Sequence, residues 1–158
     1  MRKKIIGSVP NSSSPASQEG WLDLERLAQV ELTSENAAHP IEAALAPGLG
    51  PGWRAAQPGE QTIRFLFDEP QRLRRIHLVF EERERARTQE FVLRWSADSG
   101  QTYREIVRQQ YHFSPPGTVR EVEDYGVELE GMTMLELRIV PDISGGDSWA
   151  SVAMMRLG

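Results

Sequence analysis

Three shortages narrow the possibilities for this 158-residue chain before any motif is considered. Cysteine is missing altogether, which excludes disulfide bridges and thiolate zinc sites and is consistent with a reducing compartment. No stretch approaches the roughly 20 consecutive apolar residues of a membrane-spanning helix. The basic start MRKKII is followed at once by Gly7–Pro10, so the apolar region of a secretion signal is absent. We therefore expect a soluble, cytoplasmic protein.

Lysine is nearly absent, and arginine carries most of the positive charge. The two lysines are Lys3 and Lys4, and the formal net charge of −5 argues against general nucleic-acid binding. Nine arginines fall between Arg72 and Arg108, but acidic residues are interleaved with them. Most of these charges are expected to neutralise one another on a solvated strand face rather than form a phosphate-binding patch.

Residues suited to nucleophilic catalysis are also scarce. Apart from the absent cysteine, the three histidines are His39, His77 and His112. A serine–histidine–aspartate arrangement could be drawn from Ser148, His112 and Asp142. Ser148, however, lacks the sharp strand-to-helix turn that presents a nucleophile, and nothing in the sequence brings the three together.

Carboxylates offer a second catalytic possibility. Glu121, Glu123 and Asp124 are candidates for the paired acids of glycoside hydrolysis, but on a strand they are expected to face solvent. The sequence has no phosphate-binding loop, dinucleotide fingerprint or metal-ligand spacing. We therefore predict that the chain is not an enzyme and that it uses no metal and no cofactor.

Composition divides the chain into two parts. Ser, Pro and Gly dominate residues 7–20, so we expect residues 1–20 to form a flexible leader. The remaining residues, 21–158, have the length of one domain with one core. They are predicted to form a single binding domain.

Short apolar–polar alternations recur along that domain and indicate strands. We predict strands at 27–33, 62–67, 73–80, 91–96, 106–113, 119–129, 132–140 and 149–157, with turns at 68–71, 96–103, 114–117 and 131. The start of the domain, from Trp21, fits a helical period as well, but an extended start is favoured. One or two helical turns are expected near 40–46, and Trp53 is expected to anchor the core. This order predicts an all-β fold, an antiparallel β-sandwich of the jelly-roll type.

A hairpin at Phe91–Phe113 organises the predicted sheets. Its turn, Ser96–Tyr103, also matches the S-x-D-x-G-x-T-aromatic box that recurs in sialidase-type propellers. A propeller needs one copy per blade, whereas this chain has one copy and no internal repeat. Asp98 is therefore expected to hold the turn and to carry no chemistry.

The order of these features resembles the galactose-binding-like, or discoidin (coagulation factor F5/8 type C), superfamily of β-sandwiches. The similarity lies in Gly52-Trp53, the strand pair Thr62–Phe80 and the hairpin turn Trp95–Tyr103. Members of this superfamily bind sugar, lipid, protein or DNA partners, so the resemblance implies the fold more specifically than the ligand.

The resemblance also raises the question of a metal. Sugar-binding modules of this superfamily often hold a structural calcium through an Asp in the loop before the Trp and a Glu in the last strand. Here the loop Ala46–Gly52 contains no acidic residue, and the last strand contains Arg156 but no carboxylate. We therefore expect no bound metal.

A second resemblance is local. The stretch Trp53–Ile63, WRAAQPGEQTI, is similar to the corresponding stretch in the N-terminal domain of X-ray-repair cross-complementing scaffold proteins. That domain shares the sandwich and recruits a DNA polymerase to broken DNA. This second resemblance implies an alternative function, a protein–protein interaction module of a scaffold with a link to DNA repair.

Aromatic and polar residues in and beside the predicted loops are the candidate ligand-binding residues. They are Arg83, Arg85, Arg87, Tyr111, His112, Asp147 and Trp149. Aromatic faces stack on sugar rings, while Arg, Asp and His hydrogen-bond to hydroxyl groups. The competing interpretation is that Trp149 belongs to the core and that the arginines are merely solvated. The sequence therefore predicts a non-catalytic module for a carbohydrate or similar small polar ligand, bound by loops at one end of the sandwich.

Overall fold

The computed structural model of the protein describes residues 20–46 and 50–158. In this part of the chain the elements are α1 Leu24–Leu27, β1 Ala28–Leu32, α2 Glu42–Leu45, β2 Trp53–Arg54, β3 Gln61–Glu81, β4 Arg87–Ser96, β5 Arg104–Phe113, β6 Arg120–Val140, β7 Ser151–Val152 and β8 Met154–Leu157. The predicted all-β class is confirmed. Apart from Gly20, the predicted leader lies outside the described residues.

Two long strands, β3 and β6, connect the whole sheet. The antiparallel order is β1-β3-β6-β4-β5, and β8 pairs with a later part of β3. β1 pairs with β3 up to Phe67, whereas β8 pairs with it between Ile76 and Val79. A separate two-stranded ladder joins β2 to β7. Each long strand therefore has different neighbours in its two halves.

The midpoints of the long strands differ from the sequence prediction. Residues 68–71 and Gly131 were expected to end strands, but β3 and β6 each continue through these positions. Their pairing changes register between Leu66 and Arg75, and Gly131 has a φ of +69°. Such irregularities let a strand bend without ending. The two predicted turns are therefore bends within continuous strands. The four strands predicted around them form only two, β3 and β6.

The two halves of the sheet face each other across one core. The rings of Phe80 and Phe91 have centroids 5.1 Å apart, although β6 separates their strands within the sheet. Ile63 and Phe65 from the first half of β3 share one apolar cluster with Leu78 and Phe80 from the second half. The alternation of buried and exposed positions supplies this cluster from both layers. The predicted sandwich is confirmed.

The hairpin turn is held by the side chains that the sequence singled out. Ser96 Oγ donates to one carboxylate oxygen of Asp98 at 2.6 Å, and Thr102 Oγ1 donates to the other at 2.6 Å. These two hydrogen bonds, with Ser96 contributing most, lower the pKa of Asp98 to about 2. Ser99 and Gly100 take positive φ values of 60° and 92°, as the tight connection requires. Asp98 is confirmed as a turn residue.

The start of the domain combines the two alternatives that the sequence offered. α1 covers Leu24–Leu27, where an extended start was favoured, so that part of the prediction was wrong. β1 follows at Ala28–Leu32, within the predicted strand. Trp53 is 1% exposed, and its indole Nε1 donates to the carbonyl of Ser34 at 3.2 Å. Its role as a core anchor is confirmed.

The predicted closing strand at 149–157 is divided in two. β7 pairs with β2, whereas β8 pairs with β3, and Ala153 lies between them. The amide of Ala55 donates to the carbonyl of Ala150 at 2.9 Å, next to the β2–β7 ladder. This ladder brings the segment around Trp149 against Arg54.

Candidate functional site

Three segments meet at a cleft of about 210 Å³: the β3–β4 connection, β2 and the loop that precedes β7. Its lining residues are Arg54, Glu82, Glu84, Arg85, Asp147 and Trp149. Three of the seven sequence candidates, Arg85, Asp147 and Trp149, therefore converge on one concave surface.

Two of the residues that line this cleft, Arg85 and Asp147, form an ion pair. The guanidinium Nη1 of Arg85 lies 2.7 Å from Oδ1 of Asp147 and 3.5 Å from the hydroxyl of Ser148. The hydrogen bond between the two groups raises the pKa of Arg85 and lowers the pKa of Asp147. Both side chains are largely exposed, so the pair presents a charged donor and a charged acceptor to solvent.

Glu82 shapes the connection that carries Arg85. Its Oε2 accepts from the amides of Glu84 at 2.9 Å and of Arg85 at 3.2 Å. Its Oε1 accepts from Nε of Arg87 at 2.7 Å. Burial raises the pKa of Glu82, but these hydrogen bonds, led by the one from Arg87, outweigh burial and leave the pKa below its usual value. The carboxylate of Glu82 thus holds the β3–β4 connection in one conformation through three hydrogen bonds.

Arg87 lies beneath the cleft rather than at its surface. Its side chain is fully buried, and Nη1 donates to the carbonyl of Pro141 at 2.7 Å and to Gln89 Oε1 at 3.0 Å. The guanidinium carbon also stands 4.8 Å from the ring centroid of Phe113. Arg87 therefore orients Glu82 through a hydrogen bond and does not itself line the cleft.

An aromatic face and a cation also line the cleft. Trp149 is half-buried, and the guanidinium carbon of Arg54 lies 5.7 Å from its ring centroid. Within residues 20–46 and 50–158, no carboxylate forms an ion pair with Arg54. Sequence reasoning missed this residue; the available signal was its place next to the core anchor Trp53 in a Gly-rich loop. Glu82 and Glu84 were missed because they lie in a run of alternating charges.

Two of the other candidates are engaged elsewhere. The hydroxyl of Tyr111 donates to the carbonyl of Arg120 at 3.1 Å, and its ring packs edge-on against Phe113 at 5.0 Å. Arg83 is exposed and lies 3.5 Å from Glu81. Neither side chain lines the cleft.

His112 is also outside the cleft. Its Nδ1 lies 2.8 Å from the hydroxyl of Thr88 on the exposed face of the β4–β5 pair. The serine–histidine–aspartate arrangement drawn from the sequence is not formed, because Ser148 contacts Arg85 and Asp142 accepts from Ser144 at 2.7 Å. These groups have other partners.

One predicted carboxylate position was wrong. Glu121 is 2% exposed and lies between the layers rather than facing solvent. Burial, together with the neighbouring Glu123 carboxylate, raises the pKa of Glu121 to about 9. The hydroxyl of Tyr125 donates to Glu123 at 2.6 Å, while Asp124 is exposed and contacts His77. Glu121 is buried and does not line the cleft.

The region where the superfamily resemblance implies calcium does not suit that ion. Arg156 of β8 donates to the carbonyl of Leu45, so a cation from the protein lies at the residue that precedes the loop Ala46–Gly52. Burial lowers the pKa of Arg156. In the described part of the chain no group of three or more Asp, Glu or His side chains is placed to hold a metal ion. Among the described residues, this region therefore offers a cation and no set of carboxylates suited to calcium.

Solved structures with a similar architecture include carbohydrate-binding modules and XRCC1. CBM32-3 from a family 31 glycoside hydrolase of Clostridium perfringens has a TM-score of 0.61 and 16% identity, over 92% of this chain and 98% of its own. A pectin-binding carbohydrate-binding module has a TM-score of 0.58 and 15% identity, over 84% and 91%. XRCC1, solved bound to the DNA pol beta catalytic domain, has a TM-score of 0.58 and 14% identity, over 84% and 95%. The chain has the galactose-binding-like fold.

At sequence identities this low, the structural similarity establishes the fold alone. The ligand has to be argued from the site. No family model and no curated protein sequence matches the chain. Among the described residues there is no helix with the length and apolar character needed to cross a membrane.

Proposed function

We propose that the chain is a non-catalytic binding module that holds a carbohydrate or a similar small polar ligand in the Arg85–Trp149 cleft. The observation that supports it is the juxtaposition, in one cleft, of a half-buried indole and the charged pair Arg85–Asp147. Sugars have apolar faces that stack on aromatic rings and hydroxyl groups that bond to such charged donors and acceptors. The similarity of fold to carbohydrate-binding modules supports the same proposal.

The cleft is prepared for such a ligand before binding. Glu82 and the buried Arg87 hold the loop that carries Arg85, so little ordering is needed when a ligand arrives. Preorganisation of this kind improves affinity by reducing the entropy lost on binding. Trp149 lies two residues before the β2–β7 ladder, which restrains this part of the cleft.

A glycan array followed by titration calorimetry tests the proposal. We expect saccharide binding to the native chain and its loss in Trp149→Ala. The matched control is Trp21→Ala, which removes a half-buried indole that lies outside the cleft and stacks on Arg75 at 3.7 Å. Absence of any saccharide hit, or equal binding by Trp149→Ala, would contradict the proposal.

The alternative is a module that docks a protein partner, supported by the similarity to XRCC1, which was solved with a polymerase domain bound. A sugar-independent, stoichiometric partner recovered from native lysate and unaffected by Trp149→Ala would favour this alternative. Steep loss of binding with salt would point to charged contacts, whereas binding of a neutral sugar should be insensitive to salt.

A further inference from the structure

A second compartment adjoins the cleft. It has a volume of about 140 Å³, and its lining residues are His39, Pro51, Trp53, Arg54, Glu81, Ser151, Val152 and Ala153. Arg54 lines both compartments, so they are neighbours on the surface. The same two stretches of chain run past both: Glu81 and Glu82 are consecutive, and Trp149 is two residues from Ser151.

The second compartment has the same mixture of surfaces as the first. Pro51 and Ala153 supply its accessible apolar surface, whereas Trp53 and Val152 are almost completely buried. Glu81 supplies carboxylate oxygens whose charge is balanced by Arg120 at 2.8 Å and Arg83 at 3.5 Å. Ser151 adds a hydroxyl group at the β7 edge of the compartment. A polar ligand with an apolar face therefore meets matching groups here as well.

Two side chains of this compartment have hydrogen-bonding capacity that the fold does not use. The imidazole Nδ1 of His39 is shielded from solvent and has no hydrogen-bond partner among the described residues. The guanidinium of Arg54 makes a cation–π contact with Trp149 but, in the described part of the chain, forms no ion pair. A buried polar nitrogen without a partner costs free energy, and a hydrogen bond from a ligand hydroxyl to His39 removes that cost. The guanidinium of Arg54 is exposed, so it exchanges water for ligand oxygens.

We propose that the second compartment is a second subsite and that the ligand is a saccharide chain of at least two units, with Arg54 between them. This inference rests on the proposed carbohydrate function and specifies the length of the ligand. Arg54 donates to both units, the indole of Trp149 stacks on one, and His39 contacts the other. A single sugar leaves half of the surface unoccupied.

The test uses matched monomer, dimer and trimer series of galactan, polygalacturonate, alginate and mannan, titrated into the native chain. We expect affinity to rise about tenfold from monomer to dimer, because one added hydrogen bond to a charged group has that effect. Binding that does not depend on length overturns the second subsite but leaves the carbohydrate function standing. Failure of every series to bind overturns both.

Variants of the second compartment make the assignment specific. His39→Ala is expected to abolish the gain from monomer to dimer and to leave monomer affinity unchanged. His112→Ala, a histidine outside both compartments, is the control and should keep the gain. Ser151→Gln fills the second compartment and should have the same effect as His39→Ala if that variant proves unstable. A full dimer gain in both variants would refute the proposal.

Discussion

The guanidinium of Arg85 donates a hydrogen bond of 2.7 Å to the carboxylate of Asp147, across 62 positions of the sequence. The pair joins the β3–β4 connection to the loop before β7 and forms the charged rim of the candidate cleft. Both groups are exposed, so the pair is positioned to exchange its internal hydrogen bond for bonds to a ligand. Its chemical role and its contribution to stability can therefore be separated by mutation.

Replacing either member of this pair should affect binding and not folding. Exposed ion pairs contribute little to stability, so Arg85→Met and Asp147→Asn should leave the melting temperature unchanged. Each should weaken saccharide binding about tenfold through loss of a charged hydrogen bond. Calorimetric titration and thermal melting check both statements. Arg108→Met is the matched control, since Arg108 makes an exposed 2.8 Å bond to Glu90 on the β4–β5 pair.

Replacing Glu82 should affect both stability and saccharide binding. Glu82→Gln removes the carboxylate that accepts from Arg87 and from the loop amides, and should cost roughly 2 kcal/mol of unfolding free energy. Saccharide affinity should also fall, because the loop that carries Arg85 is no longer held. The pKa of Glu82 is lowered in the folded state, so its contribution is present above the usual carboxyl pKa of 4.5 and lost as the pH falls through the folded-state value.

A double-mutant cycle verifies that Glu82 acts through Arg87. The double variant Glu82→Gln/Arg87→Met should be less destabilised than the sum of the two single variants, because each single change leaves a polar partner buried and unpaired. Urea unfolding gives the three values. Additive losses would show that the two side chains act independently.

Glu121 should make stability fall as the pH rises. Its pKa is raised from 4.5 to about 9, so the folded chain keeps a proton that the unfolded chain has released. Between those pH values the unfolding free energy should decrease by up to about 1.4 kcal/mol per pH unit from this group. The groups around it are Glu123, Tyr125 and Arg87. Urea unfolding from pH 5 to 9 should show a flatter profile for Glu121→Gln, and an equally steep profile would exclude this carboxyl.

Metal removal should have no effect on stability. Arg156 already bonds to the carbonyl of Leu45, so a chelator or added calcium should leave the melting temperature unchanged. Arg156→Met should lower the unfolding free energy by roughly 1–2 kcal/mol through loss of this bond. A rise in melting temperature on addition of calcium, to native chain or variant, would show that the region holds the ion after all.

Local chemistry in the sequence was sufficient for the strands and the hairpin. The alternation of Ile63 and Phe65 predicted an inward face, and the Ser96–Asp98–Thr102 spacing predicted the turn, because each depends on residues close together in the chain. The absence of cysteine and of metal-ligand spacing likewise followed from the sequence alone. In contrast, β3 and β6 were predicted as two strands each, because a bend and a turn use the same residues and only cross-strand pairing distinguishes them.

The candidate site was decided by the tertiary structure. Arg83, Arg85 and Arg87 look equivalent in the sequence, yet one pairs at the surface with Glu81, one crosses the cleft to Asp147, and one is buried on Phe113. The three arginines differ because partners distant in the chain determine whether each side chain is buried and which group neutralises its charge. Arg54 entered the site only because the β2–β7 ladder brings it against Trp149. The sequence determined the layers of this protein, and contacts between distant segments determined which side chains line the cleft.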